Sequence, residues 1–244
     1  MGYKLTMPDG EVRDVPRVTE VIRSAMARPA LHEWELRSLA EWCLGWEAKK
    51  YDTGAQILAA FRRDHARHAN RGTAVHKWIA AVLTGGPQPV LLKSQAGYKT
   101  AFTDFMVDHL SDLSGALVET TLTDDRVSVA GTADLVCAGH LYDWKTVEKK
   151  NGRGGIWPDQ LAQLGAYASM DRVVEHGRIG RRVPAVKAAS VVRLYADGRY
   201  ETTTICGSEL HDAVALWYAV KSVAAATMKD RDRSARTQKE NSHA

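Results

Sequence analysis

Apolar residues recur along this chain in two rhythms, and one gives way to the other near the middle. In the first half the spacing is helical. Leu31, Trp34, Leu39, Trp42, Leu44 and Trp46 give Leu31–Lys49 the periodicity of a mostly buried helix. Further helices are predicted over Ala55–His68, from Gly72-Thr73 to Leu83, and over the amphipathic stretch Ser94–Leu110. Thr19 is placed to cap a short helix to about Ala27, ended by Pro29, and Gly85-Gly86-Pro87 stops the helix that carries His76. Tyr3–Val15 reads as a small hairpin turning at Pro8-Asp9-Gly10.

From Ala116 the period shortens to two. Ala116–Leu122, Val127–Cys137 and His140–Val147 are β-branched and alternating, with turn residues between them. A glycine-rich loop, Asn151–Gly155, leads to a helix predicted over Pro158–Val174. Strands over Ala188–Tyr195 and Tyr200–Ile205 follow, joined by Ala196-Asp197-Gly198, and a long helix runs from Ser208 to about Met228. This order predicts an α/β fold: a small mixed β-sheet flanked by helices, with a helical N-terminal addition. Residues 1–228 are expected to form one domain, with the hairpin and helical addition in 1–70 and the core in 71–228. The polar, charged tail 229–244 is expected to be disordered.

Composition narrows the class. At 244 residues, about 45% apolar and 25% charged, the chain has the make-up of a soluble globular protein with a substantial core. It carries no apolar run long enough to cross a bilayer and no secretory signal pattern, so no membrane partner is expected. Cys43, Cys137 and Cys206 are far apart and form no Cys-x-x-Cys pair, which argues against a zinc or iron–sulfur site and suits the cytoplasm. The formal charge of +4 is compatible with nucleic acid without requiring it.

The chemistry concentrates around one turn. If Ala138-Gly139 is a two-residue turn, Cys137 pairs with His140, and counting outward sets Asp134 opposite Asp143. Directly opposed side chains have Cβ atoms roughly 4.5–5.5 Å apart. Two carboxylates that close repel, so either one takes up a proton or a cation sits between them. Lys145, two residues beyond Asp143, projects on the same face. Two acids and an ammonium suit phosphodiester hydrolysis with Mg²⁺. The same spacing also fits an ordinary surface pair of Asp143 with Lys145 beside a solvated Asp134. Glu119, on the preceding strand, is a further candidate for a second metal or for orienting water, and equally fits a solvent-facing strand position.

Four segments in order carry a resemblance: Gly72-Thr73-Ala74-Val75-His76, Gly131-Thr132-Ala133-Asp134, Asp143-Trp144-Lys145-Thr146 and Gln163-Leu164-Gly165-Ala166-Tyr167. Over about residues 70–170 the chain resembles the PD-(D/E)XK nuclease superfamily, in its RecB-like branch. The resemblance implies a restriction-endonuclease-like core in which His76, Asp134 and Asp143 ligate Mg²⁺, with Mn²⁺ able to substitute and the Trp144 carbonyl as a further ligand. It implies Lys145 as the catalytic lysine, and Gln163 and Tyr167, on one helix face, as contacts to DNA or braces of the site. The implied reaction is attack of activated water on phosphorus, leaving a 5′-phosphate and a 3′-hydroxyl.

Val18–Ile22, Pro29-Ala30-Leu31 and the Trp-rich helix resemble phage exonucleases related to CRISPR-associated RecB-like nucleases. The expected activity is thus a Mg²⁺-dependent DNA exonuclease of phage or bacterial recombination and repair, with a single-strand annealing recombinase as partner by analogy. The four cysteines of the CRISPR-associated relatives are missing, so no iron–sulfur cluster is expected. A structure-specific or nicking endonuclease on the same site, a non-catalytic DNA-binding protein with a decayed nuclease fold, and a small-molecule hydrolase are the alternatives. Arg62, Arg63, Arg67 and Arg71, and Lys149, Lys150 and Arg153 beyond the catalytic strand, are expected to border the cleft and neutralise phosphates. Trp157 is placed to stack on a base or to serve as a buried anchor. Arg178, Arg181 and Arg182 read as a solvated turn, His65 and His68 as part of a solvated basic face, and Gln160 competes with Gln163 for the glutamine role.

Overall fold

The computed structural model describes residues 2–26, 29–45, 50–51, 53–148 and 155–241, with side chains in those ranges except 29–35, 64–69 and 228–241. The elements run β1 (Tyr3–Thr6), β2 (Val12–Val15), α1 (Val18–Ala25), α2 (Pro29–Leu44), α3 (Gly54–Thr84), α4 (Ala96–His109), β3 (Leu117–Thr123), β4 (Ala130–Cys137) and β5 (His140–Val147). They continue with α5 (Pro158–Ala168), β6 (Arg172–Glu175), β7 (Arg178–Arg182), β8 (Ala188–Tyr195), β9 (Tyr200–Cys206) and α6 (Gly207–Asn241). The strands form a single mixed sheet ordered β2-β1-β7-β6-β3-β4-β5-β8-β9. Neighbours are antiparallel except β5–β8 and β1–β7, which are parallel.

The sheet is not small. It reaches nine strands because the N-terminal hairpin joins it through β7, and because β6–β7 is a hairpin where the periodicity predicts the end of a helix. Helix α5 stops at Ala168, and Arg172-Val173-Val174-Glu175 is extended, as two adjacent valines favour. His176 and Gly177 turn the hairpin with φ of 53° and 75°, the paired positive values of a type I′ turn.

Two predicted helices are one. Helix α3 runs unbroken through His68–Gly72, where there is no proline and a lone glycine costs only about 1 kcal/mol. Thr53 and Gln56 cap its start reciprocally, each side chain bonding the other's backbone N–H at 3.3 Å. Gly72 also lets α3 approach β5, since a Cβ there would lie 3.3 Å from Thr146 Oγ1. Helix α6 likewise runs past Met228 to Asn241, so the backbone of most of the segment expected to be disordered is helical. No glycine or proline interrupts Ser208–Asn241.

Helices cover both faces of the sheet. On one, α1, α5 and α6 pack Val21, Ile22, Leu164, Leu210 and Trp217 against Leu122, Leu141 and Val191. On the other, α3 and α4 pack Val75, Trp78, Phe102 and Phe105 against Leu135, Trp144 and Val192. Helices α5 and α6 touch backbone to backbone, for a Cβ on Gly165 would lie 2.0 Å from the Ala213 carbonyl oxygen. No helix among the described residues is long and apolar enough to cross a membrane.

Candidate metal centre

The β4–β5 turn has the predicted geometry. Ala138 and Gly139 both have positive φ, 49° and 77°, and Cys137 pairs with His140, Val136 with Leu141 and Leu135 with Tyr142. The ladder stops there, one position short of Asp134 and Asp143. The β3–β4 ladder also skips this level: Val118 pairs with Leu135 and Thr120 with Ala133, while Glu119, in line with Asp134, is unpaired and has φ +45°. Both strands change face here. Ala133 and Val136 belong to the same core cluster although three residues apart, as do Leu117 and Leu122 five apart. Strict alternation would send each pair to opposite faces.

Asp134 thus sits in neither ladder, and its carboxylate takes the place of a strand partner. Oδ2 accepts the Trp144 backbone N–H at 2.8 Å, while Oδ1 lies 3.2 Å from His76 Nδ1. Helix α3 carries His76 in from above, and its Nδ1 is also 3.7 Å from Glu119 Oε1. Ligand atoms of His76, Glu119 and Asp134 all lie within 4.8 Å of one another. Glu119 is therefore a member of the cluster. Burial is the largest single influence on His76 and works to lower its pKa. Hydrogen bonds to Asp134 and Glu119, with the charges of Asp134 and Asp143, outweigh it and push the value up to about 10. An imidazole and carboxylates converging in this way fit a divalent cation of the Mg²⁺ or Mn²⁺ type.

Asp143 stands beside this trio, not in it. Its side chain is 5% exposed, and its buried Oδ2 is ion-paired with Lys145 Nζ at 2.8 Å. Burial raises the Asp143 pKa, and the neighbouring Asp134 charge adds to this against the pull of Lys145. Burial works to lower the Lys145 pKa, but Asp143 and Asp134 overcome it and hold the ammonium charged. Lys145 Nζ donates to Gln163 Oε1 at 3.2 Å. Trp144, between the two, points to the opposite face and is clamped edge-on by Phe102 and Phe105, which fixes β5 beneath the site.

Tyr167 is buried, and burial raises its pKa. It packs on Gly131, where a Cβ would come within 2.6 Å of the Tyr167 ring. Of the two roles open to it, contact with DNA or bracing, its position is that of a brace. Gln160 is engaged elsewhere, accepting from Trp157 N at 3.2 Å and from Arg193 Nη2 at 3.3 Å. Gln163 is thus the glutamine that meets Lys145.

Periodicity did not single out Arg193. In the parallel ladder it neighbours Lys145, and it is only 7% exposed. It also donates to the Gly155 carbonyl and the Thr203 hydroxyl, tying the foot of the loop to α5 and β9. An arginine inside the otherwise apolar run Val191–Tyr195 is the signal in the sequence.

The basic residues divide. Arg62 and Arg63 are exposed on α3, about 20 Å along its axis from His76. They can reach a polymer only well away from the metal cluster. Arg67 is on the same helix, with its side chain outside the described residues. Arg71 bonds to Glu148, and this with the Tyr98 hydroxyl raises its pKa against the effect of burial. It ties α3 to the end of β5. Lys149, Lys150 and Arg153 lie outside the described residues. Trp157 is 45% exposed at the start of α5, so it is not a buried anchor.

A scan against protein-family models and a search of curated proteins each return no match for this chain.

Proposed function

We propose that this chain is a Mg²⁺-dependent DNA nuclease with a restriction-endonuclease-like core, hydrolysing phosphodiester bonds as an exonuclease. The observation that carries the reading is the convergence of His76, Glu119 and Asp134 ligand atoms within 4.8 Å, next to the buried Asp143–Lys145 pair. One helix, α3, and three consecutive strands, β3, β4 and β5, supply these groups. A surface salt bridge would need none of that assembly.

A divalent cation bound there supplies positive charge for a phosphate oxygen and a lowered pKa for a water. His76, Glu119 and Asp134 would hold it, with the Asp143–Lys145 pair of β5 beside them. Lys145, kept protonated by the acids around it, offers an N–H donor and a charge for the negative charge that builds on phosphorus oxygens. Gln163 fixes the direction of that ammonium, and Tyr167 fixes α5 against β4.

The test is digestion of end-labelled linear duplex, linear single strand and closed circular DNA in Mg²⁺, Mn²⁺ or EDTA. Linear substrates should be degraded in either metal and survive in EDTA, closed circles should persist, and Lys145→Met should abolish cleavage. Cleavage of the closed circle would replace the exonuclease by an endonuclease on the same site. Intact substrates under every condition would remove the nuclease reading.

A further inference from the structure

Strand β3 is paired with β6 only at its far end, through Leu122↔Val173 and Thr123↔Arg172. Beyond that, β6 veers away to pair with β7, and the outer edge of Leu117–Thr121 has no strand partner among the described residues. The wedge that opens is a groove of about 480 Å³. Its floor is the open edge of β3 with Thr120 and Thr121, and its far wall is the hairpin turn with His176 and Arg181. Glu119 lines the same groove and also belongs to the metal cluster. The groove therefore adjoins the candidate metal cluster through Glu119 and leads to the β6–β7 hairpin.

We propose that this groove receives a single strand of DNA running from the metal cluster, with Arg181 on the hairpin as a phosphate contact. The proposal rests on the nuclease reading and adds the form of substrate and its path. Charge is the first argument. Of the groove's own lining, Glu119 belongs to the candidate metal cluster and Glu175 is offset by Arg181, while Arg172, Arg178 and Arg182 add positive charge elsewhere on the same hairpin. The Arg181–Glu175 pair is 3.8 Å long and more than half exposed, so a phosphate can take the acid's place at little cost. Size is the second. A groove of this volume is of small-ligand scale and admits one or two nucleotides, whereas a duplex has a major groove alone about 12 Å wide. The third is chemistry. The unpaired N–H and C=O groups of a strand edge are donors and acceptors that unpaired bases can meet.

The experiment measures binding of a fluorescein-labelled oligothymidylate, and of a blunt duplex, to the full chain in EDTA by anisotropy across a salt series. Arg181→Ala should flatten the slope of log K against log salt by about 0.7 for the single strand, the share of one phosphate contact. Arg181→Glu should weaken single-strand binding about tenfold and duplex binding far less. Arg181 is exposed and outside the core, so both variants should keep the native melting temperature. Single-strand affinity and slope equal to native, or equal losses for both DNA forms, would overturn the proposal. The first of these results would point instead to a peptide strand adding to the β3 edge. Cleavage of the same oligonucleotide by the native chain in Mg²⁺ is scored separately: if it is cut while Arg181 proves silent, the groove assignment falls and the nuclease stands.

Discussion

Asp134 divides its two carboxylate oxygens between two tasks: Oδ2 accepts the Trp144 backbone N–H at 2.8 Å, and Oδ1 faces His76 at 3.2 Å. The two tasks separate by substitution. Asp134→Asn keeps an acceptor for Trp144 and should leave stability near native, while lowering Mn²⁺ affinity by more than about tenfold and abolishing cleavage. Asp134→Ala should do the same to the metal and also lose about 1–3 kcal/mol, because the Trp144 N–H is left without its partner. Urea denaturation and Mn²⁺ titration of the two variants check this. Equal stability of both would show that the backbone bond contributes nothing.

Lys145→Met removes the cation from a buried acid. Breaking a buried pair costs about 3–5 kcal/mol in general. Here the loss should fall at or below the lower end, because Lys145 is 30% exposed and Asp143 can take up a proton in its place. Added Mg²⁺ should raise the melting temperature of the variant more than that of the native chain, by neutralising the carboxylate that lost its partner. Thermal melts with and without Mg²⁺ give the comparison, and an equal shift in both would contradict it.

Acid stability should depend on a pair remote from the site. Burial tends to raise the Asp124 pKa, but Lys221 from α6, at 2.6 Å, and the Ser128 N–H and hydroxyl outweigh it and hold the carboxylate below its ordinary value. A folded-state value below the unfolded one gives stability that is present above the unfolded value and disappears as pH falls through the folded one. The loss should therefore appear below about pH 4. Asp124→Asn should be less stable than native at neutral pH and should show a shallower decline below pH 4, read from urea midpoints. Parallel declines in the two proteins would exclude Asp124 as the source.

Gly131→Ala drives a methyl group into the Tyr167 ring and Val18. It should cost about 1–3 kcal/mol and, by shifting α5 and Gln163, reduce turnover by up to about a hundredfold. Gly54→Ala is the control, since a Cβ there meets nothing within 4 Å. Melting temperature and turnover on linear DNA should both distinguish the two.

The sequence was most legible where side chains follow regular backbone. The Ala138-Gly139 turn set the register of β4 against β5, and the observed pairs agree with it. The strands β8 and β9 and the N-terminal hairpin lie where alternation put them, β8 to the residue. Legibility ended where the backbone leaves the rule. Glu119 could not be assigned a face by counting, because its positive φ turns the chain over at that point. The same reversal at Asp134 explains why direct opposition to Asp143 overstated the pairing. The β6–β7 hairpin was hidden because its turn is His-Gly, a weaker signal than Asn-Gly, and its strands are short.

The missing methyl at Gly165 has a reach beyond its own helix. None of the residues assigned here to the metal cluster belongs to α6, yet α6 is the abutment that decides how deep α5 may settle. With any larger residue at 165, the two backbones would be held apart and α5 would carry the Gln163 amide off its present position against the Lys145 ammonium. The span of that one hydrogen bond is thus calibrated from behind, by atoms that are not there.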